Sequence, residues 1–250
     1  MTTLVTTKKN GKWRLAAVLG AAVATALVLP VSAQAAQAQS ADGHAVTQAA
    51  LNAFQAQAGP GAGVYAGDST GSWDLTAGTG TAGVSLPIQS TDHFRIGSQT
   101  KTFTAAVVLQ LVDEGKVSLD APIEGYLPGV VDGNGYDGST ITVRELLQHT
   151  SGIPTNNSPN PQANPDGSYT LAALARDGLS HAPASAPGIA WAYSNTNYEI
   201  LGMLIEQVTG GSVSQAITSR IIQPLGLTQT SYPAGGDRSL PNPSVHGYYG

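Results

Sequence analysis

Ser98 and Lys101 stand three positions apart in Phe94-Arg95-Ile96-Gly97-Ser98-Gln99-Thr100-Lys101-Thr102-Phe103, where a helical pattern begins. Positions i and i+3 share one face of a helix, so the hydroxyl and the amine would lie side by side. At a helix N-terminus, free backbone N–H groups and the helix dipole favour negative charge. A serine oxygen attacking a carbonyl carbon wants that setting, and an amine one turn later can hold or take the hydroxyl proton. The same residues also read as a helix-capping serine followed by a solvated lysine. S-x-x-K fixes only two positions, so other segments must shift the balance.

Two segments do. In Pro187-Gly188-Ile189-Ala190-Trp191-Ala192-Tyr193-Ser194-Asn195-Thr196-Asn197-Tyr198, the local reading is a buried tyrosine and an asparagine cap for a helix starting near Thr196. In Ile141-Thr142-Val143-Arg144-Glu145-Leu146-Leu147-Gln148-His149-Thr150-Ser151-Gly152-Ile153-Pro154, Thr142 and Glu145 form a T-x-x-E capping box. Leu146 and Leu147 face the core, and Gly152 supplies a helix stop. His149 reads as a satisfied histidine pinning a turn rather than as a catalytic base. Ser151 has no lysine at i+3, so it is not a second nucleophile.

Taken together these segments resemble the serine β-lactamase and D-alanyl-D-alanine carboxypeptidase family, in its class C branch. S-x-x-K is that family's nucleophile motif, Tyr193-Ser194-Asn195 matches its Y-x-N, and L-L-x-H-T-S-G lies between the two as it does there. Pro60-Gly61-Ala62-Gly63-Val64-Tyr65-Ala66 is similar to the family's first strand, and Gln223-Pro224-Leu225-Gly226-Leu227-Thr228-Gln229-Thr230 to its P-L-G-x-T segment. The similarity runs from about Ala45 to Gly250. It implies that Tyr193 is a general base near Ser98 and that Asn195 holds the substrate amide. It implies an α+β fold in which an antiparallel sheet flanked by helices adjoins a helical lobe, with the active site between them.

The family's third motif, K-T-G or H-x-G, has no counterpart here. His246-Gly247-Tyr248 resembles instead an H-G-Y segment of the helical lobe. The resemblance therefore implies that the C-terminal strands and helix, and one oxyanion-stabilising N–H, lie beyond this sequence; a naturally short form is the alternative. On the first reading the 250 residues alone would leave an open sheet edge and be neither well folded nor active.

Bulk properties limit the function further. Hydrophobic residues make up 41% of the chain, enough for one domain with a real core or two small ones. Only 11% are charged, against about 25% in typical soluble domains. Lys8, Lys9, Lys12 and Arg14 form a basic n-region, and Leu15 to Leu29 an apolar stretch ended by Pro30. Ala33-Gln34-Ala35 is an A-x-A site, predicting a Sec-type signal peptide over 1–35 cleaved after Ala35. Ala36-Gln37-Ala38 is a second site, and an uncleaved anchor is the alternative. Residues 36–45 read as a flexible lead-in and 46–250 as the incomplete hydrolase domain.

Net charge is −5 with 11 basic and 16 acidic residues; losing the four basic residues of the leader gives 7 − 16 = −9. That argues against nucleic acid and anionic membranes. With Cys 0 there are no disulfides and no thiol chemistry. The five histidines form no H-x-x-x-H or H-x-H pair, so a metal hydrolase has little support, and no cofactor is expected.

The elements that must position these residues follow from periodicity. Thr47–Ala58 reads as a helix, and the Gly-rich stretch 61–95 as antiparallel strands. Ser98–Glu114 reads as a central buried helix. Helices are also predicted over Leu171–Leu179, Thr196–Val208 and Val213–Ile222. Leu119–Tyr136 reads as loop and short helix, and the Asn- and Pro-rich 155–168 as surface loop.

The functional expectation is a secreted, monomeric serine hydrolase that forms an acyl-enzyme on Ser98 and cleaves a D-Ala-D-Ala-type peptide, a β-lactam or an ester. The alternative is a catalytically inactive penicillin-binding-like module that binds cell-wall peptide or a partner.

Overall fold

The computed structural model describes residues 43–156, 162–233 and 235–248, together with the backbone of 4–9 and 12–17. Strands β1 (Leu4–Lys9) and β2 (Lys12–Ala17) pair as an antiparallel hairpin with Lys9 opposite Lys12. Residues 18–42, which hold the rest of the predicted leader and lead-in, lie outside the described residues. Among the described residues no helix is long and apolar enough to cross a membrane.

Helix α1 (Ala45–Ala58) lies on a hairpin of β3 (Gly61–Asp68) and β4 (Gly71–Gly78). The hairpin register runs from Gly61 opposite Gly78 to Asp68 opposite Gly71. Its turn is tied by Asp68 Oδ1, which accepts from the Thr70 N–H at 2.7 Å and the Gly71 N–H at 3.2 Å, an Asx turn in place of backbone pairing. Gln48 Nε2 donates to Thr76 O at 3.0 Å and fixes α1 against β4.

Strand structure ends at Gly78, short of the predicted stretch to residue 95. Thr79 Oγ1 donates to the carbonyls of Val84 and Leu86, curling the chain into a loop before it can extend. The apolar alternation continues through Val84 and Leu86, yet both are exposed. The sequence 243–246 returns beside this loop. Pro243 O accepts from the His93 N–H at 2.8 Å, and Gly80 O accepts from the His246 N–H at 3.1 Å. His246-Gly247-Tyr248 therefore packs at the hairpin end, and the Tyr248 hydroxyl accepts from the Ala82 N–H.

The core sits in the helical part. Helix α5 (Asn195–Thr209) is its axis, with Ile200, Leu201, Leu204 and Ile205 fully buried. Helix α2 (Thr100–Asp113) adds Val107, Val108 and Leu111. Each such side chain contributes about 1.5–3 kcal/mol by leaving water. Between them lie a two-residue hairpin of β5 (Asp132–Gly133) and β6 (Tyr136–Asp137), then α3 (Val143–Gln148) and α4 (Leu171–Leu179). Helix α6 (Val213–Ile217) runs on into a π-helical turn, Thr218–Ile222. The architecture is α+β, with small antiparallel sheets and a helical lobe, as the sequence predicts.

Helix ends follow local chemistry. The Thr142–Glu145 capping box forms as read, and Ser212 with Gln215 makes a second one. Helix α3 stops at His149 in the left-handed conformation (φ 59°), three residues before the glycine assigned as its stop. Helix α5 is capped by Ser194, which accepts from the Asn197 N–H, and not by Asn195, whose amide is needed elsewhere.

Candidate active site

Ser98 lies in a single 3-10 turn, Gly97–Gln99, that leads into α2. Gly97 has φ 54°, a backbone position that costs glycine little and swings the chain into the helix. No side chain caps either the turn or α2, so the helix-cap reading of Ser98 does not hold. Its hydroxyl is exposed and engaged from two sides. The Tyr193 hydroxyl lies 2.8 Å from Ser98 Oγ, and Lys101 Nζ donates to it at 3.3 Å. Lys101 Nζ also donates to Asn195 Oδ1 at 2.8 Å. All four residues singled out in the sequence thus meet in one hydrogen-bonded group.

Three elements hold them. Lys101 follows Ser98 by one turn on α2, whose next turns are anchored by Val107, Val108 and Leu111. Tyr193 hangs from an extended segment tied to the turn after α3. Thr150 O accepts from the Gly188 N–H at 2.8 Å, and His149 O accepts from the Ala192 N–H at 2.9 Å. Asn195 opens α5, and its N–H donates to Thr155 Oγ1 at 3.1 Å.

His149 organises the tyrosine. Its Nδ1 accepts from the Ser194 N–H at 3.1 Å, which places the ring proton on Nε2. The ring packs at 4.8 Å on Tyr193 and 5.1 Å on Tyr198. Burial and the Lys101 charge both hold its pKa below 6.5, so it stays neutral beside the tyrosine. Ser151 is buried and donates to Asn197 Oδ1 at 2.7 Å, a structural contact.

Electrostatics favour a proton acceptor at Tyr193. Partial burial pushes the phenol up, but the hydrogen bonds of Lys101 and Ser98 and the ammonium charge together outweigh it. The net result lies below the ordinary value of 10. Lys101 Nζ sits 4.9 Å from the Tyr193 ring centroid and 5.7 Å from that of Tyr198. A cation is thus held by an amide oxygen and two aromatic faces, with no carboxylate contacting it among the described residues. Among the described residues no group of three His, Asp or Glu could hold a metal.

Sequence reading missed Tyr198, Thr155 and Glu199. Tyr198 and Glu199 lie at i+3 and i+4 from Asn195, on the face that carries it, so helical spacing could have found them. Thr155 sits at the start of a loop with no periodicity to read.

The chain is similar to proteins of known structure and sequence. A D-stereospecific amidohydrolase from Streptomyces sp. superposes with a TM-score of 0.72 at 45% identity, covering 81% of this chain and 60% of that one. A D-amino acid amidase from Ochrobactrum anthropi SV3, complexed with D-phenylalanine, gives a TM-score of 0.65 at 30% identity, over 74% of this chain and 50% of that one. Penicillin-binding protein 4 of Amycolatopsis lactamdurans is 32% identical over 157 residues, 63% of this chain and 40% of that protein. The chain spans about half the length of these relatives. The family model described as Beta-lactamase matches residues 48–247, and the fold is that of this family: the chain belongs to the β-lactamase family.

Proposed function

We propose that this chain carries the nucleophile and proton-handling groups of a serine hydrolase that cleaves amide bonds by acyl transfer. The observation that carries the proposal is the bracketing of Ser98 Oγ by the Tyr193 hydroxyl at 2.8 Å and Lys101 Nζ at 3.3 Å. In the reactive state the Tyr193 oxygen takes the Ser98 proton as Oγ bonds to the carbonyl carbon. The proton then passes to the leaving nitrogen as the C–N bond breaks. Water attacks the resulting ester, gives a proton back through the same pair and frees Ser98. Lys101 holds the tyrosine pKa below its ordinary value, which favours proton acceptance. Asn195 orients Lys101 and presents its amide to the substrate.

D-amino acid amides and peptides ending in D-residues are the substrates we put first, because two relatives of known structure are named a D-stereospecific amidohydrolase and a D-amino acid amidase. β-Lactams and simple esters are the other acyl donors the same group could open. The leader pattern in residues 1–35 supports export, with the mature chain starting at Ala36 or Gln39; N-terminal sequencing of secreted protein tests this. The function is tested by labelling with a fluorescent penicillin and a fluorophosphonate, mapping the labelled residue, and comparing turnover of D- and L-phenylalanine amide. Label on Ser98 with preference for the D-amide supports the reading. Label elsewhere, or none with either probe, refutes it and favours a binding module.

A further inference from the structure

One turn beyond Asn195 on α5, the carboxyl of Glu199 is mostly buried and unused by the chemistry above. Its Oε1 accepts from Asn156 Nδ2 at 2.9 Å. The other oxygen of each group, Glu199 Oε2 and Asn156 Oδ1, is also buried and finds no hydrogen-bond partner among the described residues. Both orphans are acceptors, and leaving two buried acceptors unpaired is costly. A carboxylic acid and a primary amide have matching forks. A single proton on Oε2 supplies the donor that both lack, closing a two-bond ring between the side chains.

We propose that Glu199 carries a proton shared with Asn156 Oδ1, and that this acid–amide pair latches segment 154–156 to α5 and so positions Asn195 and Lys101. Asn156 follows Thr155, whose hydroxyl holds the Asn195 N–H at 3.1 Å, and Asn195 in turn holds Lys101 at 2.8 Å. The latch therefore acts on the catalytic amine through two contacts. Glu199 is a positioning residue and touches no reacting atom.

The surroundings fit a neutral Glu199. Burial pushes its pKa up to about 7. The Asn156 N–H and the Lys101 ammonium on α2 act against that shift, and Asp177 on α4 acts with it. When the proton leaves, two acceptors face each other across the pair and the latch opens. The new negative charge also competes for the Lys101 ammonium, drawing it from Ser98 and Tyr193.

This inference rests on the catalytic reading only for its effect on rate, so two readouts separate them. The first is a carboxyl ¹³C NMR titration of the full chain, with the Glu199 resonance assigned by its loss in Glu199→Gln. We expect a midpoint near 7 that shifts in Asn156→Ala, which removes both the amide N–H and the shared acceptor. A Glu199 that titrates in the ordinary carboxylate range, or a midpoint that Asn156→Ala leaves in place, overturns the pair. The second is the rate of Ser98 labelling by a fluorophosphonate from about pH 5 to about pH 9. In the wild type, labelling should fall severalfold, through the NMR midpoint, relative to the trend below it. In Glu199→Gln that fall should vanish, because its amide makes both bonds to Asn156 at every pH. A fall that persists in Glu199→Gln overturns the positioning role. Failure of labelling in every variant would count against the catalytic reading and leave the titration to judge the pair.

Discussion

The Tyr193 hydroxyl stands 2.8 Å from Ser98 Oγ although 95 positions separate the two residues in the chain. The contact depends on two independent supports. Ser98 is fixed by the entry to α2, and Tyr193 by a segment hung on the turn at His149. Neither support passes through the other, so each can be tested by itself.

Replacing Ser98 with alanine should abolish covalent labelling and leave the fold intact. Ser98 is exposed and caps no helix, so its removal deletes no buried partner. Unchanged circular dichroism and thermal midpoint with no label is the expected result; label surviving in Ser98→Ala refutes the assignment.

Tyr193→Phe and Lys101→Ala should each lower kcat by several powers of ten, and the double variant little further, because groups that handle one proton fail together. Lys101→Ala should also move the acid limb of the rate profile to higher pH. Its charge and hydrogen bond hold the phenol below 10, and without them the phenolate forms only at more alkaline pH. Additive losses in the double variant would show two independent roles.

His149→Ala should destabilise the protein by about 1–3 kcal/mol, the cost of leaving the Ser194 N–H without its acceptor. The wild type should also lose stability as pH falls below about 6.5. The folded state lowers the His149 pKa, so it binds fewer protons than the unfolded chain in that window, and acid favours unfolding. Urea titrations of both proteins across that range test the sign; His149→Ala should lack this component.

Gly178→Ala should destabilise, although alanine is better than glycine in a helix by about 1 kcal/mol. A Cβ at Gly178 would lie 2.0 Å from Thr196 Oγ1, in the buried contact between α4 and α5. Overpacking of that kind costs typically 1–3 kcal/mol, so the clash outweighs the propensity gain. Because Thr196 adjoins Asn195, labelling of Ser98 should slow as well. A gain in thermal midpoint would refute this.

Leu204→Ala removes a fully buried side chain from the middle of α5 and should cost about 2–5 kcal/mol. Denaturant midpoints read this directly, and an effect below about 1 kcal/mol would mean that α5 is not the core axis.

Much of this protein was legible in its sequence, for local reasons. The Ser98–Lys101 spacing needs only a helix, the Thr142–Glu145 box only three residues, and the stripe of Leu201, Leu204 and Ile205 only a period of 3.6. These interactions lie within a turn or two of the chain, so residue order encodes them. Local reading failed where a distant partner decides. Alternation through Val84 and Leu86 suggested a strand, but a strand needs a neighbour, and Thr79 captured those carbonyls first. Gly152 looked like a helix stop, yet His149 took the left-handed position, where its ring could reach both the Ser194 N–H and Tyr193. Helical spacing could place Glu199 on the face of Asn195, but nothing in the sequence joined it to Asn156. Their pairing arises only when a loop without periodicity folds against the first turns of α5, burying a carboxyl beside an amide. The sequence by itself determined which groups could do chemistry. Tertiary structure decided which of them meet and which are buried, and those neighbours and that burial together set their charge.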